Sequence, residues 1–171
     1  MSLRSKRALL PALAAAVLAT TLAFAPSAAG AQTAAGPFEI LAGSWSGTGA
    51  VNTSGGLHER VRCLAKYVSQ DSGHGVKIDL RCASDSYKVE FIGNVNQTGD
   101  GLSGNWFERT RRVGGNITGK VNGNQFNVRA EGQTFTALLS VSTQGARQTF
   151  SMESPGAFVS EFTIALNRST R

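Results

Sequence analysis

The segments Arg60-Val61-Arg62-Cys63-Leu64-Ala65-Lys66-Tyr67 and Ile78-Asp79-Leu80-Arg81-Cys82-Ala83-Ser84-Asp85 decide the fold. Each alternates apolar and polar residues with the period of two that a half-buried strand requires. Between them, Asp71-Ser72-Gly73-His74 carries the residue types that make turns. Pairing the segments antiparallel about that turn sets Cys63 against Cys82, Ala65 against Leu80 and Tyr67 against Ile78 on one side. On the other side Lys66 meets Asp79 and Arg60 meets Asp85. A slip of one residue would put apolar side chains in water and separate the charge pairs, so this register is strongly specified.

The same pattern continues in both directions. Ten short strands are expected at 44–51, 58–68, 76–84, 87–96, 101–109, 113–122, 125–130, 134–142, 147–153 and 158–167, with no helical period after Gly43. A turn at Asp85-Ser86 sets Cys82 against Val89, Leu80 against Phe91 and Arg81 against Glu90. A turn over Gln97-Thr98-Gly99-Asp100 sets Val95 against Leu102 and Phe91 against Trp106. Gly123-Asn124 sets Val121 against Phe126, and Thr143-Gln144-Gly145-Ala146 sets Leu139 against Phe150. Short connections make consecutive strands antiparallel neighbours. A sheet this wide with one apolar face must close or fold over. The expectation is an all-β, antiparallel up-and-down barrel of about ten strands, with a two-sheet sandwich as the runner-up.

Ahead of the strands, Arg4, Lys6 and Arg7 precede an apolar run from Ala8 to Phe24, then Pro26 and the small residues Ala29-Gly30-Ala31. This is the layout of a secretory signal, so residues 1–31 are expected to be removed, leaving Gln32 first. Residues 32–42 then form a lead-in with a short helical turn, and 43–171 a single barrel domain. The destination is secreted or periplasmic, with no membrane span after cleavage. No Cys follows the apolar run to carry a lipid anchor. Three of the 17 Lys and Arg and none of the 11 Asp and Glu lie in the leader, so its removal lowers the formal charge from +6 to +3. That ordinary balance, with the aromatics alternating inward, gives no reason to expect a nucleic-acid partner. In an oxidising compartment the opposed Cys63 and Cys82 are expected to form a disulfide worth about 3 kcal/mol.

The start of the first strand reads Phe38-Glu39-Ile40-Leu41-Ala42-Gly43-Ser44-Trp45. A short amphipathic turn followed by Gly-x-Trp resembles the entry to calycin-type barrels, which include lipocalins, fatty-acid-binding proteins, avidins and the nitrobindin-like group. The resemblance implies that Trp45 closes the barrel floor, covered by a basic residue near the end of the last strand. Arg168 stands where that partner would fall. The chain has no counterpart of the lipocalin Thr-Asp-Tyr motif, nor of a haem-ligating His near the C-terminus, and no cofactor is expected.

Trp45, Tyr67, Phe91, Trp106, Phe126 and Phe135 share the inward phase and are the candidate ligand-binding residues. They either fill a core or line a cavity. Gly47, Gly49, Gly93, Gly104 and Gly119 share that phase and mean either open volume or sharp strand bends. Arg109, Arg111 and Arg112 form the one basic cluster, suited to an anionic partner. Glu108 points inward opposite Val89, where it needs an Arg partner or, at the strand's end, reaches water. His58 with Glu59 and His74 with Asp71 fall at opposite hairpin ends, so no metal site is expected. No nucleophile–base–orienter set is visible. The expected role is non-covalent binding of a small apolar or amphipathic ligand. The alternatives are a protein-binding module or hydrolase inhibitor acting through loops such as Thr53-Ser54-Gly55-Gly56, and a barrel enzyme such as an isomerase or cyclase. The oligomeric state is left open.

Overall fold

A computed structural model of the chain describes residues 34–170; the expected leader lies outside them. A 3-10 helix at Pro37–Leu41 leads into ten strands. These are β1 Gly43–Thr53, β2 His58–Gln70, β3 Gly75–Ala83, β4 Lys88–Thr98, β5 Gly101–Glu108, β6 Val113–Asn122, β7 Gln125–Glu131, β8 Thr136–Gln144, β9 Arg147–Glu153 and β10 Val159–Arg168. Each pairs antiparallel with the next, and β1 pairs with β10 to close the barrel. The closed barrel, rather than the sandwich, is therefore the architecture, and it leaves no unpaired edge.

The β2–β3 register is the expected one, with Cys63 opposite Cys82, Lys66 opposite Asp79 and Tyr67 opposite Ile78. The cysteine Cα atoms lie 4.1 Å apart and the sulfurs at disulfide distance. The β3–β4 and β6–β7 registers also follow the sequence.

Two hairpins differ by two residues. Trp106 pairs with Gly93 and Phe91 with Glu108, rather than with each other. Likewise Leu139 pairs with Met152 and Val141 with Phe150. The cause is turn chemistry: Gly99 and Gly145, both with left-handed φ, open two-residue turns where four-residue turns were expected. Glycine at the first central position tightens such a hairpin. A shift of two preserves which face each side chain takes, so the inward set survives. Arg60 does not reach Asp85, because the β2–β3 ladder stops at Arg62 opposite Ala83. Beyond that point Glu59 instead accepts hydrogen bonds from the Ser84 and Ser86 hydroxyls.

Four of the five inward glycines mark close backbone approaches. A Cβ on Gly47, Gly49, Gly104 or Gly119 would run into the carbonyl oxygen of Ala165, Thr163, Asn94 or Asn127 respectively. Neighbouring backbone passes too close there for any side chain. Gly93 differs, since a Cβ would meet only the side chains of Phe91 and Ile78 and the Asn105 carbonyl at ordinary or slightly tight distances.

Candidate functional site

The two ends of the barrel are built differently. The 3-10 helix lies against the β2–β3 turn, with the Gly36 amide donating to the Ser72 carbonyl at 2.8 Å. At this floor, the buried Trp45 indole N–H donates to the Leu41 carbonyl at 2.7 Å. The Arg168 guanidinium lies 4.3 Å from the centre of the Trp45 ring. It donates to the Ile40 carbonyl at 2.6 Å and also to that of Ala42. One arginine thus joins the last strand to the lead-in and satisfies carbonyls at the end of the short helix.

Above this floor lies a cavity of about 580 Å³. Tyr67, Phe91, Trp106, Phe126 and Phe135 all line it. Trp45 does not: it is packed into the floor beneath. Phe38 stacks on Phe126, ring centres 5.5 Å apart, and forms the cavity's lower wall. Trp106 stacks on Phe91 at 6.0 Å despite the shifted register, and meets Phe135 at 5.6 Å. Diagonal neighbours across a ladder are within reach of aromatic rings, which is why the contact survives.

Polar groups are few and placed. The Tyr67 hydroxyl donates to Gln148 Oε1 at 2.8 Å, and the Gln148 amide donates to the Thr143 hydroxyl at 3.1 Å. This buried chain leans against the wall, and burial pushes the Tyr67 phenol well above its ordinary range. Gln148 was legible as an inward residue from the alternation Gln148, Phe150, Met152, but a lone polar residue in that phase carries no signal of its partner.

The mouth, formed by the turns after β3, β5, β7 and β9, holds the charged groups. Glu108 does not reach water. It is 6% exposed and opposite Phe91, with its carboxylate accepting from the backbone N–H groups of Glu90 at 2.9 Å, Thr110 at 2.9 Å and Arg111 at 2.7 Å. Burial alone would raise its pKa, but those three donors outweigh it and hold the carboxyl below the ordinary value. Arg111 lies 3.5 Å from Glu108, donates from Nη1 to the Lys88 carbonyl at 3.2 Å and stacks 4.8 Å above the Tyr87 ring. Burial raises the Tyr87 phenol.

The three arginines are not gathered at one point. Arg111 lines the cavity, whereas Arg109 extends toward Asp79 at 3.9 Å on the outer face. Arg112, exposed and with φ of 58°, occupies the left-handed position of the turn. Tyr87, Phe38 and the exposed Phe158 line the cavity without having been singled out: Phe38 belongs to the lead-in helix, while Tyr87 and Phe158 stand at the first positions of expected strands, in the inward phase, and fall just before β4 and β10. His58 and His74 instead contact Asn52 Oδ1 and Gln97 Oε1. Among the described residues no three His, Cys, Asp or Glu side chains converge, and no helix is long and apolar enough to cross a membrane.

No family model and no curated protein matches the chain. Solved structures do. Rv2717c from M. tuberculosis superposes with a TM-score of 0.61 at 10% identity, covering 77% of this chain and 94% of that one. The S-type phycobiliprotein lyase CPES from Guillardia theta gives 0.56 at 8% identity, covering 78% and 91%. The class defined by fold and interior is a closed ten-stranded antiparallel barrel with an apolar lumen, and at these identities the likeness is one of fold.

Proposed function

We propose that the protein is an exported carrier that holds a small apolar or amphipathic molecule in its lumen. One observation carries this: the interior contains a cavity of about 580 Å³ walled by aliphatic and aromatic side chains, with charged groups confined to the mouth. That volume lies within the range of small-molecule sites, whose walls are mostly apolar with a few placed polar groups. A closed floor and a polar mouth also give an entering molecule one orientation. Trp45 and Arg168 serve as the closure of the floor, and Cys63–Cys82 as a staple on the β2–β3 wall.

Titration with N-phenyl-1-naphthylamine, a neutral dye that brightens in apolar sites, tests the carrier reading. Saturable one-to-one enhancement, reversed by an apolar competitor, is the expected result. Linear, non-saturating enhancement would mean that the lumen takes no ligand.

A further inference from the structure

We infer that the occupant is an anionic amphiphile, its tail toward Phe38 and Phe126 and its carboxylate or phosphate headgroup on Arg111 at the mouth. This rests on the carrier reading above. The lumen is graded along its axis: stacked Phe38 and Phe126 stand at the lower wall, and Tyr87, Glu108 and Arg111 at the upper rim. An amphiphile therefore lies head-up.

Arg111 is the one cation among the described residues that lines the cavity. Its side chain is already positioned, by the Tyr87 ring beneath it and the Lys88 carbonyl beside it. A guanidinium carries five N–H donors in a fixed fork. Here Nη1 meets both the Lys88 carbonyl and Glu108, and the side chain is 40% exposed at the rim. Glu108 does not cancel this charge in the way a bidentate partner would. Its contact with Arg111 is 3.5 Å, longer than in a bidentate pair, and its oxygens also accept three backbone N–H groups. An oxyanion arriving at the rim thus finds a held, partly exposed guanidinium. Arg112, on the same turn, adds same-sign field, whereas Lys88, at the start of β4, is paired with Glu90 at 2.7 Å.

The experiment uses protein exported and purified from cells expressing the full chain. Dodecanoate, monododecyl phosphate and 1-dodecanol share one tail and are compared by displacement of N-phenyl-1-naphthylamine at pH 7.5 and low salt. The expected result is that at least one of the two anions binds about tenfold more tightly than the alcohol, the better one identifying the headgroup. In Arg111→Gln that preference falls to near unity while dodecanol affinity is kept; Arg112→Gln retains most of it. Acetate and inorganic phosphate alone, lacking a tail, displace nothing. Equal affinity for alcohol and anions in the unmodified protein overturns the inference, as does a preference that survives Arg111→Gln. Should Arg111→Gln lose its fold, the side-chain ¹⁵Nε resonance of Arg111 in the unmodified protein decides. A shift with the preferred anion and not with dodecanol supports the assignment, and no shift refutes it. Failure of all three ligands to displace the dye, or of the dye to bind, would instead remove the carrier reading itself.

Discussion

Glu108 shows how a single carboxylate shapes the mouth. Its oxygens accept N–H groups from β4 and from two successive residues of the β5–β6 turn, so it ties that turn to the neighbouring strand. Hydrogen bonds to a charged acceptor contribute about 1.5–3 kcal/mol each when buried. Because its folded pKa lies below its unfolded one, the unfolded chain takes up this proton first as pH falls. The stabilisation is therefore complete above the ordinary carboxylate range and is lost as pH drops through that range and then through the lower folded value. Glu108→Gln keeps the shape but removes the charge. It is expected to cost about 1–3 kcal/mol at pH 7 and to flatten the loss of stability as pH falls through and below the ordinary carboxylate range. Urea unfolding across that pH series checks both effects; an unchanged acid slope would show that Glu108 is not the group being titrated.

At the scale of the hairpin, β2 and β3 are held by cross-strand pairs and by the cysteine staple. Closing a loop of 19 residues restricts the unfolded chain by about 3 kcal/mol in the entropic account. The Cys63→Ser, Cys82→Ser double variant is thus expected to lose roughly that much stability, read as a fall in the urea midpoint with little change in secondary structure by circular dichroism. Equal midpoints under oxidising and reducing conditions in the unmodified protein would contradict it. This hairpin was also the most legible part of the chain, because charge pairs, apolar pairs and the two cysteines all demand one register. The β4–β5 and β8–β9 hairpins were legible only in phase. Their side-chain pattern is satisfied equally by registers two residues apart, and the choice falls to Gly99 and Gly145, whose left-handed φ sets the turn length. The inward glycines were similarly double-valued: alternation shows that no side chain projects at Gly47 or Gly104, but only the path of the adjacent strand shows that none would fit. For the site, five of six aromatics reach the cavity because phase alone places them there; Tyr87, at the first position of the expected strand 87–96, shares that phase but lies in the β3–β4 turn, where phase alone does not single it out.

For the whole molecule, strand number and interior belong together. A ten-stranded barrel is wider than the eight-stranded one that side chains just fill, so a lumen is the expected consequence of strand number. The proposed export predicts a mature form that is shortened and oxidised. The intact mass of the exported form is expected to begin at Gln32 and to lack two thiol hydrogens; a mass including residues 1–31 would contradict cleavage.

The lumen itself carries a stability consequence that distinguishes a ligand site from a packing defect. Ala137 is buried and lines the cavity, and its neighbours across the strands are Ala130 and the Ser154 hydroxyl bound to the Thr136 carbonyl. In a tightly packed core, replacing such an alanine by leucine forces side chains off their rotamers and costs about 1–3 kcal/mol. In a cavity of about 580 Å³ the added methyl groups meet space, and the apolar area they bury is stabilising at about 25 cal/mol per Å². Ala137→Leu is accordingly expected to leave the ligand-free melting temperature unchanged or to raise it, while weakening dye binding at least tenfold by occupying the volume the dye needs. Both readouts come from one preparation, by calorimetry and fluorescence titration. A destabilised variant with undiminished dye affinity would mean that the interior is packed and that the dye binds elsewhere. A more stable variant that binds poorly is what a volume kept open for a ligand requires, since the empty lumen forgoes contacts that a filled one would make.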